Sequence, residues 1–297
     1  MQRMRWSFMV AALLSLITLA GIVQAEDKWL YPYVLVSETE GDVNNATEQT
    51  KAALVANGFE IVGSYAPYAD TMVIGATNEA LKTAAAKTEF GGYGAVVRVA
   101  VSKVDGKIQV SFFNPEWMAA AYRMKADLAP VRKDLEKALG MKQFFGSQEP
   151  GWKAEQLEDY HFMVFMPYFD DHHELAEHDS YAAAIKAVEA NLAAGKGETA
   201  KVYRVDIPGK EQTVYGVAIG GAPAGDEHIM KLIDKAAIKQ TAHLPYELLV
   251  SGNRVYALHA KFRIAVNFPD LDMGTFMHIN DAPSAIETAL GQVAGGE

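Results

Sequence analysis

The chain has no cysteine. That excludes disulfides, thiolate metal sites and thiol nucleophiles. It also excludes covalent c-type haem, which needs Cys-x-x-Cys-His. Positive charge is scarce: 27 Lys and Arg stand against 37 Asp and Glu, a formal net charge of −10. Nucleic acid and anionic membrane surfaces both select basic patches, so neither fits as a partner. No Gly-x-Ser-x-Gly elbow, His-Glu-x-x-His helix or phosphate loop occurs. Glu89-Phe-Gly-Gly-Tyr-Gly94 is glycine-rich but leads into an apolar strand pattern, which makes a poor phosphate cradle. Triads are assembled in space, so a Ser-His-Asp arrangement stays open. Beyond Gly21 no apolar run is long enough to span a bilayer.

What is present begins with a secretory pattern. Arg3 and Arg5 precede a mostly apolar run, Trp6 to Val23, and Val23-Gln24-Ala25 offers a small-x-small cleavage site. Glu26-Asp27-Lys28 follows. The expectation is cleavage after Ala25 and a soluble periplasmic or secreted protein. The alternative is an uncleaved anchor. With half its residues hydrophobic, a chain of this length can bury a sizeable core without staples.

The rest reads as one unit, twice. Lys107-Ile-Gln-Val-Ser-Phe-Phe-Asn-Pro115 alternates as a strand, ends at proline and is followed by Met118. Lys261-Phe-Arg-Ile-Ala-Val-Asn-Phe-Pro269 has the same form and is followed by Met273. Tyr93 to Tyr246 and Pro130 to Pro283 are each 153 residues apart, and Pro115 to Pro269 is 154. In the first unit, Tyr31–Val36, Phe59–Tyr65 and Thr71–Ile74 read as strands. Helices are expected from a capping box at Asn45–Glu48, from Asn78, and over Pro130–Gly140. Tyr93–Lys103 and Ile108–Phe113 form a hairpin about Asp105-Gly106. In the second unit, strands are expected at Tyr160–Phe165, Ala200–Ile207, Thr213–Ile219, Tyr246–Val250 and Arg254–Val266. The expected division is leader 1–25, first repeat domain 26–145, linker 146–157 and second repeat domain 158–297. The expected class is α+β: two small repeated domains, each an antiparallel-rich sheet with helices on one face, forming an intramolecular pseudo-dimer and therefore a monomer in solution.

One run of motifs resembles a known family. A helix ending in Gly58-Phe59-Glu60, a strand pair, Gly75-Ala-Thr-Asn78 at a helix start, an apolar strand, an Asp-Gly hairpin and a strand ending in Asn114-Pro115 together resemble family 302 of the domains of unknown function. The likeness covers roughly residues 30–125 and, more loosely, 158–280. It implies a small α+β domain that pairs with another copy, and it implies no particular activity. Many relatives carry a cysteine before the long apolar strand. Its absence here excludes a thiol role.

Three groups of residues carry candidate chemistry. Asp170, Asp171, His172, His173 and His178 combine carboxylate and imidazole, which suits zinc or copper. The five-residue step from His173 to His178 is not that of a helical metal face, and a solvated acidic loop is the plainer reading. Met118 and Met273, if the two units face each other, could clamp copper or a non-covalent haem; core filling is the plainer reading. Trp117, Tyr122, Tyr93 and Tyr246 could line an apolar ligand pocket at the seam, or simply pack the core. The function expected is that of an exported binding or accessory protein, taking a metal, haem or small apolar ligand at the seam. The alternatives are a hydrolase-like enzyme using the His/Asp group, or a protein-interaction module without a ligand.

Overall fold

A computed structural model describes residues 28–296; the expected leader, 1–25, lies outside them. The first sheet begins with β1 (Tyr33–Glu40). Asp42, not Asn45, caps α1 (Val43–Ala56): its carboxylate accepts from Asn45 N at 2.8 Å, satisfying one of the free amides of the first turn. β2 (Glu60–Tyr65) and β3 (Thr71–Thr77) follow, then α2 (Glu79–Ala86), capped by Asn78. A 3-10 turn at Gly91–Gly94 leads into β4 (Val97–Val104). Asp105 and Gly106, both at positive φ, turn the chain into β5 (Lys107–Phe113). Asn114 caps α3 (Pro115–Ala121), and α4 (Ala129–Leu139) and β6 (Gln143–Phe145) complete this part. The six strands are antiparallel in the order β2-β3-β4-β5-β1-β6.

The second half holds α5 (Ala154–Glu158), β7 (His173–Glu177), α6 (Tyr181–Ala193), β8 (Thr199–Asp206), β9 (Gln212–Ile219) and α7 (Asp226–Ile233). A 3-10 turn at Thr241–His243 precedes β10 (Tyr246–Ser251) and β11 (Arg254–Ala257). The chain ends in α8 (Ala260–Asn267), α9 (Met273–Met277) and α10 (Ala282–Ala294). The second sheet is antiparallel in the order β7-β11-β10-β9-β8. Counted from each sheet's own first strand, both run second, third, fourth, fifth, first, and β6 extends the first sheet beyond that. The fold is α+β with two antiparallel sheets.

The central strands are largely apolar on both faces because each sheet is covered twice. Along β9 and β10, Tyr215, Val217, Leu248 and Val250 join a core with α6 and α10, while Val214 and Leu249 join the core of the first half. α1 packs on the outer face of the first sheet and α6 on that of the second. Between the sheets, the turn at Thr241–His243 seats on β4 and β5, and the turn at Gly91–Gly94 seats on β9 and β10.

The sheets approach closely along β2 and β8. A Cβ built on Gly63 would lie 1.9 Å from the Val202 carbonyl oxygen, and one on Gly75, on β3, would lie 2.8 Å from the Tyr203 ring. Backbone cannot yield as a side chain can, so Gly63→Ala is expected to destabilise by about 1–3 kcal/mol. Gly291→Ala on α10, where a Cβ meets nothing within 4 Å, is expected to be neutral or stabilising. Urea midpoints compare the two; equal midpoints would mean the β2–β8 approach is not tight.

Several expected elements differ. Lys261–Asn267 is helix, not strand. His259 Nδ1 caps it by accepting from Lys261 N at 3.3 Å. Every residue of α8 except Lys261 is buried, so its sequence shows no polar face to reveal a helical period. The return strand is only β11, and the hairpin turns at Gly252-Asn253. Tyr160–Phe165 is irregular, with Phe165 at φ 71°. The strand that pairs β11 is instead β7, within the stretch whose plainer reading is a solvated acidic loop. Tyr93 sits in the glycine-rich 3-10 turn, ahead of β4. The stretch 146–157 is tied to the start of the chain: Leu30 and Trp152 exchange backbone hydrogen bonds of 2.8 and 3.0 Å.

Candidate functional site at the seam between the sheets

A charged hub lies buried where the sheets meet. Arg98 stands on β4 opposite Gly75, and Glu247 stands on β10 opposite Gly216. The space beside each glycine is filled by the Tyr203 ring, 2.8 Å from a Cβ built on Gly75 and 2.3 Å from one built on Gly216. Arg98 Nη1 lies 3.3 Å from Glu247 Oε1, and Arg263 Nη2, from α8, lies 3.2 Å from Glu247 Oε2. Tyr203 OH donates to Glu247 Oε1 at 2.7 Å. Arg98 Nε donates to Ala242 O at 2.9 Å and its guanidinium lies 4.4 Å over the Phe113 ring. Arg263 donates to His243 O and Pro245 O. Two guanidiniums on one carboxylate leave a buried excess of positive charge.

That charge fixes the state of His243. Burial, then Arg263 and Arg98, hold it well below the usual histidine range. Asn267 Nδ2 lies 2.9 Å from His243 Nδ1 and has only hydrogens to offer, so Nδ1 accepts. The neutral ring then carries its proton on Nε2, which faces Tyr246 OH at 3.3 Å.

The sequence-derived candidates fall in different places. Tyr93, Tyr122 and Tyr246 are buried near the hub, where its charges act on their hydroxyls. They are packed side chains: Tyr246 lies under Arg263 at 5.2 Å, and Tyr122 stacks on Phe169 at 5.3 Å. Trp117 is fully buried and donates from Nε1 to Val266 O at 3.2 Å. Met118 is fully buried, whereas Met273 is 42% exposed, so the two sit in unlike surroundings and not as a matched pair. The equivalence failed because it aligned a strand with α8.

The metal candidates are each engaged separately. Asp170 pairs with Arg123 at 2.8 Å, and Asp171 accepts from Tyr168 N at 2.9 Å. His172 lies between Phe90, at 4.0 Å, and Tyr256, at 5.4 Å, and burial lowers its pKa. His173 faces Glu287 at 3.1 Å and the His259 ring at 4.4 Å. His178 Nε2 contacts Ala294 O at 2.9 Å. Among the described residues no group of three or more His, Asp or Glu side chains is placed to hold a metal ion. The structure therefore lends the zinc or copper reading of this stretch no support.

What opens to solvent is the rim of the seam. A cavity of about 420 Å³ lies between the β3–β4 end of the first sheet and α7 with its following loop. The first half supplies Tyr68, Thr71, Ser102 and Lys103. The second supplies Lys231, Asp234, Lys235 and Lys239, with Glu227 at the edge. Thr241 holds the floor by bonding Tyr68 OH at 3.0 Å and Ser102 Oγ at 3.2 Å. The adjacent Ala242 is the residue that Arg98 holds, so cavity and hub share one turn. Gln109 of β5 fixes the loop through Ala237 O and Lys239 N, at 2.9 and 3.0 Å. None of these residues was singled out from the sequence. The available signal was the four-residue spacing of Lys231, Lys235 and Lys239.

Next to the cavity, Asp226 lies buried at the start of α7. Its Oδ2 accepts from Tyr65 OH at 2.8 Å. Burial pushes its pKa up to about 7, while an unfolded aspartate titrates near ~3.9. The folded state therefore keeps a proton that the unfolded state loses, and this stability fades as pH rises from about 4 to 7. Asp226→Asn keeps an acceptor for Tyr65 and is expected to flatten the fall of Tm over that window. An unchanged slope would assign the proton elsewhere; Asp234, raised to about 7 by burial, titrates in the same range.

Compared with known protein families, curated proteins and solved structures, the chain matches none.

Proposed function

We propose that this is an exported soluble binding or accessory protein, a tandem of two like α+β units packed as an intramolecular pseudo-dimer, which takes a small ligand at the rim of its seam. The observation that carries the binding reading is the cavity between the halves. At about 420 Å³ it falls within the range of small-molecule sites, roughly 300–1,000 Å³. Both halves line it, and the turn that floors it is anchored in the buried hub. The catalytic alternative lacks such support, since His172, His173 and His178 have separate partners.

The tandem part rests on three features: the common strand order, the reciprocal seating of the two 3-10 turns, and the placement of Arg98 and Glu247 opposite matching glycines. In a pair of identical chains, matching positions near the axis bring like residues together. Arginine would face arginine. One chain carrying both units can place arginine in one and glutamate in the other, which turns a repulsion into an ion pair.

Protein purified from its native compartment is expected to begin at Glu26. It is also expected to release a small molecule on denaturation that, when added back, slows amide exchange at Ser102 and Thr241. A chain that keeps residues 1–25 in a membrane fraction would remove the export part. The binding part falls if no ligand protects those two amides.

A further inference from the structure

The rim cavity has a charge unlike the rest of the molecule. On this acidic chain several lysines sit against carboxylates: Lys51 with Glu48, Lys82 with Glu79, Lys142 with Glu38 and Lys201 with Glu189. Lys103, Lys231, Lys235 and Lys239 line one cavity, and among the described residues none of them forms an ion pair. Lys239 donates to Asp234 O at 3.0 Å and Lys235 to Lys231 O, both backbone carbonyls. Two carboxyl groups share the lining, Glu227 and Asp234, so four ammonium groups outnumber them by two.

Asp234 is the second observation. Its side chain is buried, Oδ2 accepts from Gln240 N at 3.0 Å, and Oδ1 has no partner. A buried polar atom without a partner costs stability unless something meets it. Burial favours the protonated carboxyl up to about pH 7, and in that form Oδ1 is a donor. Tyr68 OH and Ser102 Oγ add neutral hydroxyls beside it.

We infer that the rim cavity selects small dianions, the shared chemistry of dicarboxylates and phosphomonoesters. The inference rests on the ligand-binding reading above and narrows it. With Asp234 protonated, the four ammonium groups face one carboxylate, Glu227, and a dianion answers most of that excess. A monoanion leaves most of it unanswered, and a cation meets four ammonium groups. Long polyanions are disfavoured by the chain's overall charge of −10.

Calorimetric titration of the purified protein tests this with succinate and glycerol 3-phosphate as dianions, acetate as monoanion and putrescine as cation. At least one dianion should bind saturably, with acetate and putrescine each at least about tenfold weaker. The preferred dianion identifies the source as carboxylate or phosphate. Lys231→Gln and Lys235→Gln change exposed side chains, so the fold should survive. Each is expected to raise Kd about tenfold, the factor matching ~1.4 kcal/mol of charge-assisted hydrogen bonding. Neither dianion binding, or affinity unchanged in the Lys231/Lys235 double variant, overturns the inference. Should a neutral or cationic compound protect Ser102 and Thr241 while the dianions do not, the seam reading stands and only the charge selectivity is lost. If no compound protects them, both are lost.

Discussion

Glu247→Ala is expected to cost about 3–5 kcal/mol, the penalty for leaving buried charge without its partner. That is about a fifth or more of the ~5–15 kcal/mol that commonly holds a domain together. The substitution strands two guanidiniums at once, because Arg98 and Arg263 both meet this carboxylate. Neither can move to water: their side chains are 0% and 1% exposed. Tyr203 OH loses its acceptor as well. The loss is in breaking the set rather than in lacking it. Arg98→Met, Glu247→Leu and Arg263→Met combined should therefore recover most of the stability, since a well-packed apolar replacement of a buried ion set is often neutral or better. Urea midpoints at pH 7 separate the cases. A Glu247→Ala loss below about 1 kcal/mol, in the range of exposed pairs, would mean the hub is hydrated and does not clamp the sheets.

The same variant should loosen the cavity. Arg98 Nε holds Ala242 O, and Thr241, one residue earlier, ties Tyr68 to Ser102. With Arg98 unpaired, that turn loses its fixed seat, and faster amide exchange at Thr241 is the expected companion of the lower midpoint.

How far the sequence disclosed this arrangement depended on whether a residue's surroundings were local. The Asp105-Gly106 hairpin, the Asn78 cap and α4 with Pro130 in its first turn are written in adjacent residues, and they are found as read. α8 was not legible, because burial on every side removes the polar face that distinguishes a helical period from an alternating one. β7 was read as loop because an edge strand carries charges that discourage further pairing. Tyr160–Phe165 had the residues of a strand and no neighbour to pair with. The hub was half visible. Arg98 interrupts Val96-Val97-Arg98-Val99-Ala100-Val101, and Glu247 interrupts Tyr246-Glu247-Leu248-Leu249-Val250. A charge inside a strand apolar on both faces needs a buried partner of opposite sign. The sequence supplied both members without saying that they meet. The cavity lysines come from β4 and from the end of α7 and its loop, so only the folded chain brings Lys103 to the other three.

Trp117→Ala is the second large loss to expect, about 3–5 kcal/mol for emptying a fully buried indole site. Trp117 stands on α3, whose start is fixed by Asn114 accepting from Glu116 N at 3.0 Å and by Pro115 in the first turn. From there the ring reaches α8 in the other half, with Nε1 donating to Val266 O at 3.2 Å. Tyr33 and Tyr160 make the same kind of reach, donating to Asn267 O at 3.1 Å and Ala265 O at 2.9 Å. These three carbonyls belong to the last turn of α8, where the helix itself offers no amide to receive. The aromatic hydroxyls and the indole therefore act as a C-terminal cap, with Tyr33 and Trp117 reaching from the first half and Tyr160 from the segment after α5. Alanine at 117 removes the packing and one cap together. Phenylalanine keeps most of the packing and removes the cap, so it should cost about 1–2 kcal/mol, one hydrogen bond plus a small void. Because Arg263 lies on the same helix, the Trp117→Ala loss and the Glu247→Ala loss should not add in the double variant, sharing α8 as the element that moves. Strict additivity would show instead that α8 is held independently at its two ends.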